Sequence, residues 1–196
     1  FKRTADGQLL LDANGLPQST AANVNLGECA PDFNMGFNLH AHYKNLSLSA
    51  TMDWQKGGCM YNGTLLTMNY FGATKESLPY HEGTMVAEGI NEATGAKNTV
   101  VVSKQAYYQA YNDVTEAGIF DTSFLKLRDV TLSYQFPKLA GINLSVYGFA
   151  RNILLWAKMP NLDPESSQGN NNMGGYFERF SVPNTSSFGG GFKVTF

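Results

Sequence analysis

The sequence predicts an all-β protein, the antiparallel up-and-down wall of a transmembrane β-barrel with long extracellular loops. Apolar and polar residues alternate over several runs of about ten residues, the length that a tilted strand needs to cross a bilayer. The polar positions in these runs carry few charges, and short connections alternate with long ones. Both features are typical of a barrel whose outer face meets lipid and whose inner face is wet.

The alternation is clearest in two predicted strands, at about 33–43 and 46–55. The first reads FNMGFNLHAHY and the second LSLSATMDWQ, each with every second residue apolar. Only Lys44 and Asn45 separate them, which predicts a two-residue hairpin. The two apolar sets then lie on the same side of the sheet.

That hairpin also predicts the pairing of individual residues. Phe37 should lie opposite Met52, and Leu39 opposite Ala50, with all four side chains on the outward face. A slip of one residue would turn the polar set outward instead, so the register is a sensitive test of the barrel prediction.

Three further strands are predicted, at about 124–136, 142–156 and 186–196. In the first of them, Leu125 and Leu127 are out of phase with the alternation that runs from Val130 onward. This change of phase predicts a β-bulge or an approach to the membrane from outside.

The remaining segments, 57–123 and 157–185, are predicted to be extracellular loops. Short turns then fall on the same side as the end of the chain, which places the C-terminus in the periplasm. Ser103 precedes KQAYYQAY and is a good N-cap, so the first loop should contain a short helix.

Composition excludes several classes of function. Charged residues make up 15% of the chain, aromatic residues 13%, and the net charge is −2. Without a basic cluster, a nucleic-acid partner has no electrostatic support. No apolar run reaches the roughly 20 residues of a membrane helix, and the chain begins at Phe1 without a signal peptide, so we expect a processed chain or a piece of a longer one.

A secreted β-sandwich is the main alternative on these data. Its core would show the same charge-free apolar face as a barrel wall, where Lys or Arg at the midplane costs ~2–4 kcal/mol. The other face favours the barrel, because it carries Asn, Ser, Thr, Gln and His in place of the many Lys and Glu of a solvated sheet.

The final strand, SFGGGFKVTF, ends on an aromatic residue. Its aromatic and aliphatic residues share one parity, as in the closing strand of an outer-membrane barrel. Gly191, Phe192, Val194 and Phe196 are the expected barrel-assembly signal, although Gly189 stands where a polar residue is usual.

Several segments resemble one family, the SusC/RagA-type TonB-dependent outer-membrane transporters, and they occur in the family's order. LGECAPDFNMGF resembles "LGNPNPDFxxGF", and YKNLSLSATMDWQKGGCMYN resembles "YKNFSLSFxxDWRKGGDVYN". FLKLRDVTLSYQFP is similar to "FLRLKNVTLGYxLP", VYGFARNILLW to "VYLSGQNLFTW", and NLDPE to "GYDPE". Cys29, Cys59 and Arg151 depart from the usual Asn, Asp and Gln.

This resemblance implies that residues 1–196 are the C-terminal part of a receptor barrel of roughly 22 strands around a plug. It also implies import of oligosaccharides or peptides across the outer membrane, with capture by a SusD-like surface lipoprotein. TonB would act through the plug, which lies outside this segment. The partners expected for this chain are therefore the rest of its barrel, the plug, the lipoprotein and membrane lipid, with no cofactor.

The hairpin register brings the two cysteines near each other. Extended beyond the strands, it places Cys29 opposite Met60 and Cys59 opposite Ala30, one step from a direct pair. A disulfide, or two thiols close enough to form one, is expected at the extracellular rim, where oxidation is permitted. Two unrelated loop cysteines are the alternative.

We expect no catalytic site and no metal site. His40 and His42 share the polar face but lack a third ligand nearby, so contact with plug or water is the simpler interpretation. A glycosidase needs two carboxylates at a fixed separation, and nothing in the sequence sets such a pair among the four acidic candidates. These are Asp53, Asp129, Asp163 and Glu165.

Aromatic and amide side chains supply the remaining candidates for ligand contact. Trp54 and Trp156 are interpreted as anchors at the membrane interface in preference to platforms for sugars. Tyr147 and Arg151 have inward parity and could touch plug or substrate, provided that no bulge reverses it. The Asn/Gly-rich loop offers a glycan contact through Asn170, Asn171, Asn172, Tyr176 and Phe177, although an ordinary mobile loop is the favoured interpretation.

Two other functions remain open from the sequence. One is a secreted β-sandwich carbohydrate-binding module that displays aromatic loops, and the other is a carbohydrate-active enzyme. Detergent-dependent solubility would separate a barrel wall from the module, and turnover of a glycan would support the enzyme.

Overall fold

The computed structural model describes residues 1–138, 141–167, 176–182 and 184–196. The chain forms two compact units, each assembled from three segments. The connector unit consists of Phe1–Gly27, Met60–Phe120 and Ser167–Ser181, and the wall unit of Glu28–Cys59, Asp121–Ser166 and Val182–Phe196.

Strands dominate the described residues. In chain order they are β1 (Leu10–Leu11), β2 (Pro31–Tyr43), β3 (Leu46–Gly57), β4 (Cys59–Asn62), β5 (Thr84–Val86), β6 (Ile90–Asn91), β7 (Val101–Ser103), β8 (Ile119–Asp121), β9 (Phe124–Gln135), β10 (Asn143–Ala157), β11 (Phe177–Glu178) and β12 (Ser187–Thr195). The helices are α1 (Gly63–Tyr70) and α2 (Lys104–Asn112), with 3-10 turns at Leu78–Tyr80 and Thr115–Gly118.

The wall unit is a five-stranded antiparallel sheet in the order β12–β10–β9–β3–β2. Its strands are 9 to 15 residues long, at or above the roughly 9–11 residues of a membrane-crossing strand. Each begins and ends within about two residues of its predicted bounds. The sheet is that of a barrel wall, as predicted.

The β2–β3 hairpin has the predicted register. Phe37 pairs with Met52, and Leu39 pairs with Ala50. In the turn, Lys44 adopts a left-handed conformation with φ of 52°, which the twist of a two-residue hairpin requires.

A bulge in β9 explains the change of phase near Leu125 and Leu127. Along β3 the partner residue jumps from Asp129 to Leu127 in one step, so that Arg128 is the extra residue of β9. Beyond it, Leu125 and Leu127 join the apolar face, and Lys126 moves to the polar face. The bulge prediction is confirmed.

β10 carries a bulge at the same level. Between Arg151 and Leu154 it has two residues where β9 has one, and Asn152 takes φ of 49°. Asparagine tolerates this left-handed conformation better than most residues. Because the irregularity follows Arg151, it does not reverse the parity of Tyr147 and Arg151, which both lie on the polar face.

The connector unit is more structured than a long loop. The sequence predicted one short helix in 57–123, and α2 forms there with the Ser103 hydroxyl accepting from the Ala106 backbone N–H at 3.2 Å. It missed α1, whose N-cap is the side chain of Asn62. The connector unit also has a small core of its own, around buried Leu11, Ala87 and Tyr107. Across the described part of the chain, no helix is long and apolar enough to cross a membrane.

Candidate functional site

Large apolar side chains cover one face of the wall sheet and remain exposed. Phe37, Leu39, Leu132, Phe188 and Phe192 each expose roughly half to three quarters of their surface. The patch is continuous from β2 to β12, as one row of paired residues shows: Leu39, Ala50, Val130, Ala150 and Phe188. A patch of this extent on a water-exposed surface is rare and marks a face that something apolar covers.

A row of bulky residues marks the end of this apolar face near the bulges. Leu125 of β9 pairs with Trp54 of β3 on one side and with Trp156 of β10 on the other. The Trp54 indole also meets Phe33 edge to face, with ring centroids 4.9 Å apart. Trp54 and Trp156 thus stand at one height on one face, the arrangement of an aromatic girdle at a membrane interface.

The opposite face of the sheet is polar and its side chains bond to one another. The Thr51 hydroxyl donates to Asn38 Oδ1 at 3.1 Å, and His42 Nδ1 lies 2.8 Å from Ser47 Oγ. His40 is on this face opposite Ser49. No group of three or more candidate metal ligands occurs among the described residues.

Towards the last strand, aromatic residues interrupt this polar face. Tyr147 and Phe149 of β10 lie opposite Gly191 and Gly189 of β12. A β-carbon on Gly189 would come within 2.6 Å of Phe149 Cζ, and one on Gly191 within 2.8 Å of the Tyr147 hydroxyl oxygen. Each ring therefore occupies the space above its glycine.

Arg151 continues the same row. Its guanidinium carbon lies 4.7 Å from the centroid of the Phe149 ring, and its Nε lies 3.3 Å from Asp129 Oδ2. The side chain remains largely exposed. Tyr147, Phe149 and Arg151 form one ladder on the polar face, which is open to whatever occupies that side of the sheet.

The apolar half of β12 pairs with the apolar half of β10. Phe192 lies opposite Val146, and Val194 lies opposite Leu144. Phe196 follows the strand and is 94% exposed. The residues of the predicted assembly signal are thus divided between the faces, with Gly191 on the polar side.

A charged cluster lies at the bulge in β9, where the side chains of that strand exchange faces of the sheet. Lys126 Nζ contacts Asp163 Oδ2 at 2.6 Å and Glu165 Oε2 at 2.8 Å, and the Lys126 side chain is 2% exposed. Arg128 binds Asp53 Oδ2 at 2.6 Å through Nε and holds both carboxylate oxygens of Glu165 through Nη1 and Nη2. The cluster ties the segment after β10 to the wall sheet.

The ionisation of Asp163 follows from this geometry. Burial opposes its charge, but the hydrogen bonds from Lys126 and from Asn184 Nδ2, at 2.9 Å, outweigh burial and lower the pKa of Asp163. Asp129 is likewise paired with Arg151. The other two acidic residues, Asp53 and Glu165, both contact Arg128.

The contact between these charged residues was not predicted from the sequence. The signal was present in two quoted segments, because FLKLRD contributes both cations and NLDPE contributes two of the carboxylates. Their contact depends on the bulge at Arg128, which turns Lys126 to the polar face.

The two cysteines are neighbours and both are free thiols. A bulge between Pro31 and Phe33 shifts the pairing by one residue from the expected register, so that Pro31 pairs with Gly57. Continued outward, this pairing sets Cys29 opposite Cys59, which corrects the expected partners. Burial raises the pKa of the Cys59 thiol, and the adjacent Cys29 raises it further by charge interaction and a hydrogen bond.

The remaining predicted contact residues lie at and near the start of β11. Phe177 stacks on Tyr61 with ring centroids 5.1 Å apart, so this ring packs within the connector unit. Tyr176 is partly exposed, and its carbonyl oxygen accepts from the Tyr61 backbone N–H. Asn170, Asn171 and Asn172 lie outside the described residues.

Comparisons with known proteins agree with this wall. No family model matches the chain. It is 27% identical over 174 residues to TonB-dependent receptor P3 of Formosa agariphila, which covers 85% of this chain and 16% of the relative. It is 30% identical over 196 residues to TonB-dependent receptor P26 of the same organism, covering 91% of this chain and 18% of the relative.

A solved structure, the RagAB peptide importer in its "closed-closed" state, has the same fold over 98% of this chain and 20% of its own. The TM-score is 0.56 and the sequence identity 22%. The chain therefore spans less than a fifth of the curated relatives' length and matches about one fifth of the solved structure.

Proposed function

Since this chain belongs to the TonB-dependent receptors, we propose that its wall unit supplies five adjacent strands of an outer-membrane barrel that imports oligosaccharides or peptides. The observation that carries this proposal is the continuous, exposed apolar face of the sheet. Lipid covers such a face without further protein, and the row of Trp54, Leu125 and Trp156 fits its outer boundary.

The two edges of the sheet support a place within a larger barrel. Among the described strands, none pairs with the outer edge of β2 or of β12. Unpaired edges cannot lie in hydrocarbon, because each free backbone group there costs several kcal/mol. In the complete protein β12 closes the barrel against its first strand, and β2 pairs with the strand that precedes this segment.

The lengths of the connections support one orientation in the membrane. The β2–β3 turn and the β9–β10 connection are short, whereas the segments that join β3 to β9 and β10 to β12 are long. With short turns in the periplasm, the C-terminus is periplasmic and the connector unit is outside the cell. There it would meet the SusD-like lipoprotein that the family resemblance implies, while TonB acts on the plug.

The ladder of Tyr147, Phe149 and Arg151 then faces the barrel interior. An exposed guanidinium and aromatic edges suit contact with the plug or with a passing substrate. The end of the chain has a different role: Gly191, Phe192, Val194 and Phe196 form the signal for barrel assembly.

Two sets of variants of the complete receptor test this division. Replacing Phe192, Val194 and Phe196 with Ser, or deleting Phe196, should abolish accumulation in the outer membrane, measured by fractionation and by heat-modifiable migration. Replacing Ser187 with Thr in the same strand is the matched control. Normal assembly of the polar variant would contradict the barrel-closing role.

Deleting part of 168–175, within the loop predicted from the sequence, should leave assembly intact and alter only ligand uptake or lipoprotein docking. The cut must spare Glu165, which belongs to the charged cluster, and Tyr176, which bonds to Tyr61. Loss of assembly on this deletion would show that the loop is part of the wall's folding and not a peripheral contact.

A further inference from the structure

The connector unit contains a small, half-open cavity that the transport proposal does not use. A cavity of about 160 Å³ lies between the end of α1, the 3-10 turn at Leu78–Tyr80 and one face of α2. On this measure a cavity of about 10–15 Å³ holds one water molecule, so there is room for a small ligand. That is enough for one sugar ring and too little for a longer oligosaccharide.

Aromatic rings form much of the wall of this cavity. Tyr80 and Tyr108 stack with centroids 3.4 Å apart and planes 18° from parallel. Phe71 is 74% exposed at the rim and meets Tyr70 edge to face at 5.1 Å. The two tyrosines turn one face toward each other, so the exposed Phe71 ring is the surface that suits the apolar C–H face of a pyranose ring.

The polar groups of the cavity are neutral and have bonding capacity to spare. Gln105 and Gln109 are one turn apart on α2, and within the described residues their side-chain amides make no hydrogen bond. Each amide offers donors and an acceptor, as sugar hydroxyls do. His81 Nε2 donates to the Gly72 carbonyl at 3.0 Å.

The hydroxyl of Tyr108 is a further polar group of the cavity. Burial raises the pKa of Tyr108 to about 12, with the hydrogen bond to Tyr80 as the next contribution. The Tyr108 phenol therefore stays protonated. No Asp, Glu, Lys or Arg is among the described residues that line the cavity, so a carboxylate, a phosphate or an ammonium group would find no countercharge there.

We propose that this cavity binds one neutral sugar residue, such as the exposed end of a saccharide chain. The ring rests against the aromatic rim while its hydroxyls bond to the amides of Gln105 and Gln109. This inference rests on the proposed function in one respect: sugars outside the cell reach the cavity only if the connector unit is extracellular. It adds a binding site on the connector unit that is separate from the barrel interior.

The test uses the complete receptor, purified in detergent, and saturation-transfer NMR with methyl pyranosides of glucose, galactose and mannose. We expect saturable binding of at least one of them, with a Kd of about 1 mM given the small contact area. Phe71→Ala and Gln105→Leu should each weaken it at least about tenfold, since each removes a direct contact. Both side chains are exposed, so folding should survive.

Val101→Ala and Gln8→Leu are the matched controls, because both residues are exposed in the connector unit away from this cavity. They should bind as the unchanged receptor does. Absence of saturable binding for all three pyranosides, or equal binding by the Phe71 and Gln105 variants, would overturn the site. If these variants assemble normally and no sugar binds, only this inference fails, whereas assembly of the polar terminal-strand variants contradicts only the wall proposal.

Discussion

The ring of Phe149 lies over Gly189 on the adjacent strand, in the space that a β-carbon would need. A polar residue is usual at the position of Gly189 in this kind of strand, and the neighbouring ring explains the exception. Because glycine has no side chain, the backbone beside it would be exposed, and an aromatic ring from the adjacent strand shields it. The pair Tyr147 and Gly191 repeats the arrangement two residues on.

Gly189→Ser should therefore force the Phe149 ring aside and weaken the β10–β12 pairing. We expect a destabilisation of about 1–3 kcal/mol, the range for overpacking, seen as a lower temperature for loss of the heat-modifiable barrel. Gly148→Ala is the control, since its β-carbon would meet its nearest neighbour at an ordinary 3.8 Å. Adding Phe149→Ala to Gly189→Ser should restore part of the loss, and failure to do so would contradict the steric explanation.

Lys126 should be the most sensitive residue of the charged cluster. Lys126→Met keeps the side-chain length but leaves Asp163 and Glu165 without their buried cation, a change that typically costs about 3–5 kcal/mol. Denaturant unfolding of the reconstituted receptor would measure it. Lys56→Met, at an exposed position of β3, should change stability by less than about 0.5 kcal/mol. Equal effects of the two variants would show that the cluster contributes nothing specific.

The attachment of the segment around Asp163 should depend on pH. Because the folded-state pKa of Asp163 is lowered, its stabilising contribution is fully present above the unfolded value of about 3.9 and is lost as pH falls through the folded pKa. Hydrogen exchange in 158–166, corrected for intrinsic rates, should therefore rise on acidification below about pH 4. The Asp163→Asn variant should exchange faster at neutral pH and change little on acidification. If exchange in the unmodified receptor did not depend on acid, the stabilising role of ionised Asp163 would be contradicted.

Cys29 and Cys59 should form a disulfide when an oxidant is supplied. Diamide would accept the two electrons and two protons that the thiols lose, and non-reducing peptide mapping would detect the bond. Because the pKa of Cys59 is raised, less thiolate is present at neutral pH and the reaction should accelerate as the pH rises. Cys29→Ser is the control for intermolecular products. Two thiols that still react with maleimide after oxidation would refute the pairing.

The alternation of residues was sufficient to predict the wall sheet. The change of phase at Leu125 and Leu127 also predicted the bulge, because one inserted residue reverses the alternation of apolar and polar positions along a strand. The bulge between Pro31 and Phe33 left no such mark, since the strand there has no strict alternation to disturb. The cysteine register was therefore predicted one residue out.

The connector unit could not be predicted in this way. Its elements are short and are stabilised by partners far apart in the chain. Glu178, for example, is fully buried and accepts a hydrogen bond from the Thr64 hydroxyl at 2.8 Å, 114 residues away. The sugar cavity likewise joins Phe71 and Gln105, which no local pattern relates.

The most direct test of the account is the environment of alternate side chains in the β2–β3 hairpin. Nitroxide labels can be placed singly at Leu39, His40, Ser49 and Ala50 of the complete receptor after Cys29 and Cys59 are replaced by Ser, and the receptor reconstituted in liposomes. Relaxation by oxygen, which partitions into lipid, is then compared with relaxation by a water-soluble nickel chelate. Labels at Leu39 and Ala50 should respond to oxygen, and labels at His40 and Ser49 to nickel, whereas the reverse pattern, or no alternation at all, would contradict a barrel wall with its apolar face in lipid.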